Sequence, residues 1–300
     1  MNSKKTLVRA WAPVTAAAAV GAVVLTLNGP WNDSPSSEAQ SAHADVAAPQ
    51  NTNAKAAVGD PQDPATWKLP VEAFMTTKAE ARLISNARDS LIDKCMEDAG
   101  FDRWTPAPDL PEPGGTTLVD WRYGIHDAET AAGRGYHPAA EQQQAYDEAM
   151  MAGAVDESGA DEGKLRACVQ AADGQAPPAQ PAELVQRING ESFMQSKNDP
   201  NVVAALAKWS SCMKAKGYSY KEPMEANDDP RFNDQHKVTA LEIATAKADI
   251  QCRDRYSVEK TWFDAEVKLQ LKAIEENRPA LEKVKAGNKA AVAKASTIAK

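Results

Sequence analysis

The chain reads as all-α: two related helical halves with long proline-rich loops, two disulfides, and a tether ahead of them. Three observations predict this. Apolar residues recur at helical spacing across most of residues 78–278, and no alternating strand pattern flanked by Asn-Gly turns occurs. The phrase Cys-Met-x-x-x-Gly-aromatic is written twice, as CMEDAGF at 95–101 and CMKAKGY at 212–218. There are four cysteines, and much of the 43% hydrophobic fraction is alanine, which favours helix but buries little area. A core built this way gains from cross-links.

The amino terminus comes first. Lys4, Lys5 and Arg9 precede an apolar run over 10–27, the pattern of an export signal. Ala42-His43-Ala44 is an A-x-A cleavage candidate, but it lies 17 residues beyond Leu27. A run of about 18 apolar residues also reaches the lower edge of a membrane span. Residues 1–27 are therefore read as a signal peptide or a retained anchor, both of which place the rest outside the cytosol, over a cytoplasmic chain with a chance apolar start. No twin arginine or nearby cysteine indicates a Tat signal or a lipoprotein. Residues 28–64, rich in Ser, Pro, Asn, Gln and Ala, read as a disordered linker. Order is expected from about Trp67, with KLPVEAF extended.

The first half, 65–182, opens on a capping box, Thr77 to Glu80, and a helix from about 78 to 99 with Leu83, Ala87, Leu91 and Cys95 along one face, widened by Ile84 and Ile92. Its end explains the repeated phrase. With Gly100 at C′ of a Schellman ending, Met96 falls at C3 and Phe101 at C″; with Gly217 the same count gives Met213 and Tyr218. Methionine, glycine and the aromatic ring are three parts of one stop signal.

The second half, 183–285, has Asp199-Pro200 as N-cap and first-turn proline, then Val202, Val203, Leu206, Trp209 and Met213. Each stop is followed by a proline-marked loop and another helix bearing one cysteine, Cys168 or Cys252. This is a divergent duplication of about 71–175 and 184–278. Its last helical stretch, about Val238 to Arg278, shows Leu241, Ala244, Ala248 and Cys252, then Trp262, Leu269 and Ala273, with a kink expected near Tyr256-Ser257. Residues 286–300 read as a basic tail.

The duplication favours bridges within each half, Cys95–Cys168 and Cys212–Cys252, over pairing between halves. No Cys-x-x-Cys supports a zinc or thioredoxin-like role, and no Cys-x-x-Cys-His a covalent haem. A net charge of −8 argues against general nucleic-acid binding. No zinc-protease, nucleophile-elbow, phosphate-loop or dinucleotide motif occurs. No catalytic set, cofactor or metal is therefore expected.

The one unusual region is the insertion 114–150. It concentrates Trp121, Arg122, Tyr123, His126, Arg134, Tyr136 and His137 within seventeen residues, with Asp127 capping a short helix that stops at Gly135-Tyr136. Rings and guanidinium groups of this kind favour recognition surfaces. Three readings stand: a contact surface for a peptide, glycan or protein; rings covering a thin alanine-rich core; and a metal site from His126 and His137, whose spacing supplies no clear third ligand.

The stretches LPVEAF, CMEDAGF, GIHDAETAAGRGYHP, KWSSCMKAKGYSY and EIATAKADIQC, with Trp262 downstream, resemble exported two-disulfide helical proteins of high-GC Gram-positive (actinobacterial) bacteria. The resemblance covers most of 66–282. It carries over no catalytic residue, and implies an envelope setting that includes transport systems. The expected function is thus an exported or anchored, non-enzymatic accessory module. Its partner would be an envelope protein or cell-wall component, such as a transport system, with membrane contact only through the N-terminal segment. The alternatives are an envelope hydrolase using carboxylates and a small-ligand or signal binder.

Overall fold

Lys78–Asp98 is the first long helix, α1, and it starts and stops as its capping residues dictate. Thr77 Oγ1 accepts from the Glu80 N–H while Glu80 returns a carboxylate to Thr77 N at 2.8 Å. At the other end Phe101 N donates to Met96 O at 2.9 Å and Gly100 N to Glu97 O at 2.8 Å, with Gly100 at φ +88°. The second copy matches: Tyr218 N to Met213 O and Gly217 N to Lys214 O, both 3.0 Å, with φ +93° at Gly217. Met96 and Met213 are both fully buried, so each stop is anchored by a side chain as well as by its hydrogen bonds.

The computed structural model describes residues 55–106, 108–152, 159–177 and 181–299. The expected signal or anchor segment, and the expected linker as far as residue 54, lie outside them. Among the described residues no helix is long and apolar enough to cross a membrane. After α1 come α2 (Ala128–Arg134), α3 (Ala140–Ala152), α4 (Glu162–Gln175), α5 (Glu183–Ser196), α6 (Pro200–Ala215), α7 (Pro223–Asn227), α8 (Ala240–Arg255), α9 (Val258–Glu276) and α10 (Arg278–Ile298). An isolated bridge between Ala57 and Lys68 is the sole sheet-like pairing described.

Both disulfides join the helices expected. Cys95 of α1 pairs with Cys168 of α4, and Cys212 of α6 with Cys252 of α8, at Cα separations of 5.6 and 5.9 Å. No cysteine is left free. Two such bridges are consistent with folding in an oxidising, extracytoplasmic compartment.

Several expectations need correction. KLPVEAF is not extended: Pro70–Phe74 is a 3-10 helix, and Trp67, Leu69, Val71 and Phe74 are buried in the main core. Order begins before Trp67, for residues 57–66 fold back so that Asp60 O accepts from Trp67 Nε1 at 2.7 Å. Residues 286–300 are not a free basic tail. Described through 299, they continue α10, which packs on α1 with Ala295 buried beside Ile84 and Ala87. Its apolar positions are mostly alanine and valine, so its face is narrow. The expected kink at Tyr256-Ser257 is a break, with Ser257 at φ +49° between α8 and α9.

The two halves do not pack as separate bodies. The main core joins Trp67, Phe74, Val119 and Tyr123 of the first to Val185, Val202, Trp262 and Leu281 of the second. Helix α2 lies on α8, α5 on α9, and the 3-10 helix on α5, α9 and α10. Each half keeps a satellite cluster of its own around its disulfide: Ile92, Met96, Cys168 and Ala172 in the first, and Trp209, Met213, Cys252 and Val258 in the second.

Candidate functional site

The insertion 114–150 carries the seven residues singled out from sequence, and the fold turns most of them inward. Tyr123, Tyr136 and His137 are buried, and Trp121, Arg122, His126 and Arg134 are half-buried. Each meets a partner supplied by a distant part of the chain or by the insertion itself, so they do not form one exposed surface.

Arg122 and Tyr123 converge on Glu266 of α9. Arg122 donates from Nε and a terminal nitrogen at 2.9 and 2.6 Å, and the Tyr123 hydroxyl donates at 2.7 Å. Gln270, one turn on, donates to the same carboxylate at 2.8 Å and accepts from Val71 N at 3.0 Å. The buried anion is thus fully surrounded by donors, as a charge at such depth requires. Burial, then the Glu266 charge, pushes the Tyr123 hydroxyl far above the ordinary phenol range. Arg122 also lies over the Phe193 ring, 4.7 Å from its centroid.

The second convergence is on Arg253 of α8, whose side chain is wholly buried. Its Nε donates to Asp249 Oδ1 at 2.9 Å, and its terminal nitrogens reach Glu259 and the carbonyl of Ile125. Trp209 Nε1 donates to Asp249 Oδ1 at 2.9 Å. Gly124 makes room for this guanidinium: its φ is +120°, and a Cβ there would sit 2.9 Å from Arg253 Cζ. Tyr136 donates to Asp249 Oδ2 from 3.4 Å.

The histidines lie on different partners. His126 Nε2 is 2.6 Å from Asp120 Oδ1, and its Nδ1 is 3.9 Å from Asp63. Burial pushes Asp120 up, but hydrogen bonds from Thr116 N–H, His126 and the Thr116 hydroxyl outweigh it and hold the carboxyl below its usual range. His137 Nε2 sits 3.3 Å from Glu242 Oε1 but off the line of a hydrogen bond, so this contact is an ion pair only when the ring is protonated. Glu242 is otherwise committed to Tyr136 N at 3.0 Å. Arg134 holds the main chain, donating to Pro138 O and Gln235 O. Among the described residues no cluster of three His, Cys, Asp or Glu side chains is placed to hold a metal ion.

Comparison of the chain with protein-family models, curated proteins and solved structures returns no match. The site is therefore read from its own geometry.

Away from the insertion, a shallow open groove of about 470 Å³ runs along α8 beside the second stop motif. Tyr218, Ala240, Ile243, Ala244 and Ala248 line it, with Lys216, Lys247 and Gln251 at its edges. Sequence reading placed Ala244 and Ala248, with Leu241, on an inward face. In the fold Leu241 and Ala244 are exposed, while Glu242, Thr245, Asp249 and Arg253 are buried. Ala248 and Cys252, read on that same face, are buried as expected, so the hydropathy period misleads only over the first turns of α8, where the buried side includes the polar residues that receive the insertion.

Proposed function

We propose that the protein is an exported, non-enzymatic helical module that holds a partner in the cell envelope. The observation that supports this best is how its interior charges are used. Arg122 answers Glu266, and Arg253 answers Asp249 and Glu259. Both sets pin the insertion to α8 and α9, and so make a rigid scaffold rather than a proton-exchanging centre. An open groove along α8 combines apolar residues with Lys216 and Lys247, a composition suited to holding another chain. The Cys212–Cys252 disulfide ties together the two elements that border it, the end of α6 and α8.

A carboxylate hydrolase has one observation in its favour. Asp254 and Glu259, both raised by burial, are electrostatic neighbours of His126, which also meets Asp120 and Asp63. Raised carboxyls near an imidazole can serve acid–base chemistry.

Cross-linking at the outer surface of intact cells making the full-length chain, followed by fractionation, tests the partner-binding reading. The expected result is an adduct with an envelope protein or wall component in the membrane or wall fraction. Recovery of the chain in the cytosol with reduced thiols would refute it. Hydrolysis of wall fragments that is lost in Glu259→Gln would favour the second reading.

A further inference from the structure

We propose that the groove along α8 docks an acidic segment of a partner protein. An apolar side chain, aromatic by preference, would lie on the floor formed by Tyr218, Ile243 and Ala244, with carboxylates beside it meeting Lys216 and Lys247. This deepens the partner-binding reading above and rests on it.

Charge is the first argument. The chain carries −8 overall, yet the edges of this groove carry two exposed ammonium groups. Neither takes part in an ion pair among the described residues. Lys216 Nζ donates only to Gln251 Oε1, at 3.0 Å. Unneutralised cations beside an apolar floor select a ligand with anionic groups around an apolar one.

The second argument is internal to the molecule. In the first half, Trp104 stands three residues past the stop aromatic Phe101. Both rings, with Ala160 and Leu165, pack against the cluster around Met96 and Cys168. In the second half, the residue three past Tyr218 is Lys221, which is exposed. Helix α8 also starts twelve residues ahead of its cysteine (240 against 252), whereas α4 starts six ahead of its own (162 against 168). The additional turns supply Ala240, Ile243 and Ala244; among the described residues Tyr218 is the ring that borders them, while Tyr220 and Tyr256 pack on the cluster around Met213 and Cys252. A ring brought by a partner would lie over this floor beside Tyr218. A polyol phosphate of the wall would satisfy the lysines but leave this floor in water, so a peptide fits better.

Fluorescence anisotropy on the oxidised full chain tests this, using a short labelled peptide with one Trp flanked by Glu, and its Gln counterpart. The Glu peptide is expected to bind about ten-fold tighter than the Gln peptide, the combined effect of two exposed ion pairs. The preference should vanish in Lys216→Glu/Lys247→Glu and fade near 1 M salt, where the screening length is about 3 Å. Ala244→Trp, which fills the groove from an exposed position, should weaken both peptides. Equal affinity for the two peptides, undiminished binding in either variant, or displacement by poly(glycerol phosphate) at lower concentration than by unlabelled Glu peptide would overturn the proposal. The cross-linking experiment separates the two levels. An envelope adduct formed equally by the charge-reversed variant would reject the groove and leave the partner-binding reading standing.

Discussion

Arg122 and Glu266, 144 residues apart, face each other through two hydrogen bonds of 2.9 and 2.6 Å, with the carboxylate fully buried. The pair ties the insertion of the first half to α9 of the second. Breaking such a pair from one side strands a buried charge, at a cost of about 3–5 kcal/mol. Arg122→Met should therefore lower the unfolding free energy by about that much in urea denaturation of the oxidised protein. The double variant Arg122→Met/Glu266→Gln, whose amide oxygen still accepts from Tyr123 and Gln270, should recover part of the loss, since no buried charge is then left unpaired. A single variant as stable as the parent would contradict the pinning role.

The glycines of the two stop motifs and Gly124 should respond differently to alanine. At Gly100 and Gly217 no atom lies within 4 Å of an added Cβ. The cost there is backbone strain alone, about 1–2 kcal/mol. At Gly124 the same strain is joined by collision with Arg253, the one guanidinium buried among Asp249, Glu259 and the Ile125 carbonyl. Gly124→Ala should be the most destabilising of the three by denaturant midpoint, and equal midpoints would count against the Arg253 arrangement.

The two disulfides close loops of 73 and 40 residues, which corresponds to about 4 kcal/mol each in the chain-entropy model. Removing Cys95 and Cys168 together, or Cys212 and Cys252 together, as alanine pairs should each lower stability by about 2–4 kcal/mol once native-state relaxation is allowed for. The second pair lies in the cluster that includes Trp209 and Val258. Its loss should therefore also change the near-ultraviolet circular dichroism of that tryptophan, and a silent spectrum would argue against this packing.

Acid should act in part through Asp120, one of three carboxyls, with Asp127 and Asp229, that the fold holds below their usual range. The Asp120 carboxyl is held below the ordinary range in the folded chain, so the unfolded chain binds the proton more readily. The resulting stability is fully present above the unfolded value of about 4 and is lost as pH falls through the folded value. Glu259, raised by burial against the pull of Arg253 and His126, has the opposite sign and costs stability as pH climbs above about 4.3. Asp120→Asn should flatten the acid limb of a stability–pH curve measured below about pH 4. Parallel limbs for parent and variant would show that Asp120 contributes nothing to the acid limb.

What the sequence made legible was local. Thr77 and Glu80, Asp199 with Pro200, and the Met–Gly–aromatic stops all act within one helical turn, and each falls where it was read. The bridges were legible because the duplication paired them. The insertion was not. That Tyr123 and Tyr136 cover the core is one of the readings the sequence leaves open, and they do; what stayed hidden were their partners Glu266 and Asp249, 143 and 113 residues further on, at positions that hydropathy assigns to solvent. Helix α10 was obscured for a related reason. Its buried contacts are Leu281 and Ala295 with partly buried valines between, too sparse a stripe to announce a helix in a lysine-rich stretch. The groove along α8 was hidden because Ala244, read on the same inward face as Ala248 and Cys252, is left exposed while those two are buried.

The claim on which the rest depends is that two sulfur-bridged helical units, interlocked through the insertion, make up a protein that folds outside the cytosol. Peptide mapping under non-reducing conditions, on protein taken from its native cells without added oxidant, tests it most directly. The account predicts two linked fragments, one joining Cys95 to Cys168 and one joining Cys212 to Cys252. Free thiols at these positions, or fragments linking one half to the other, would contradict it.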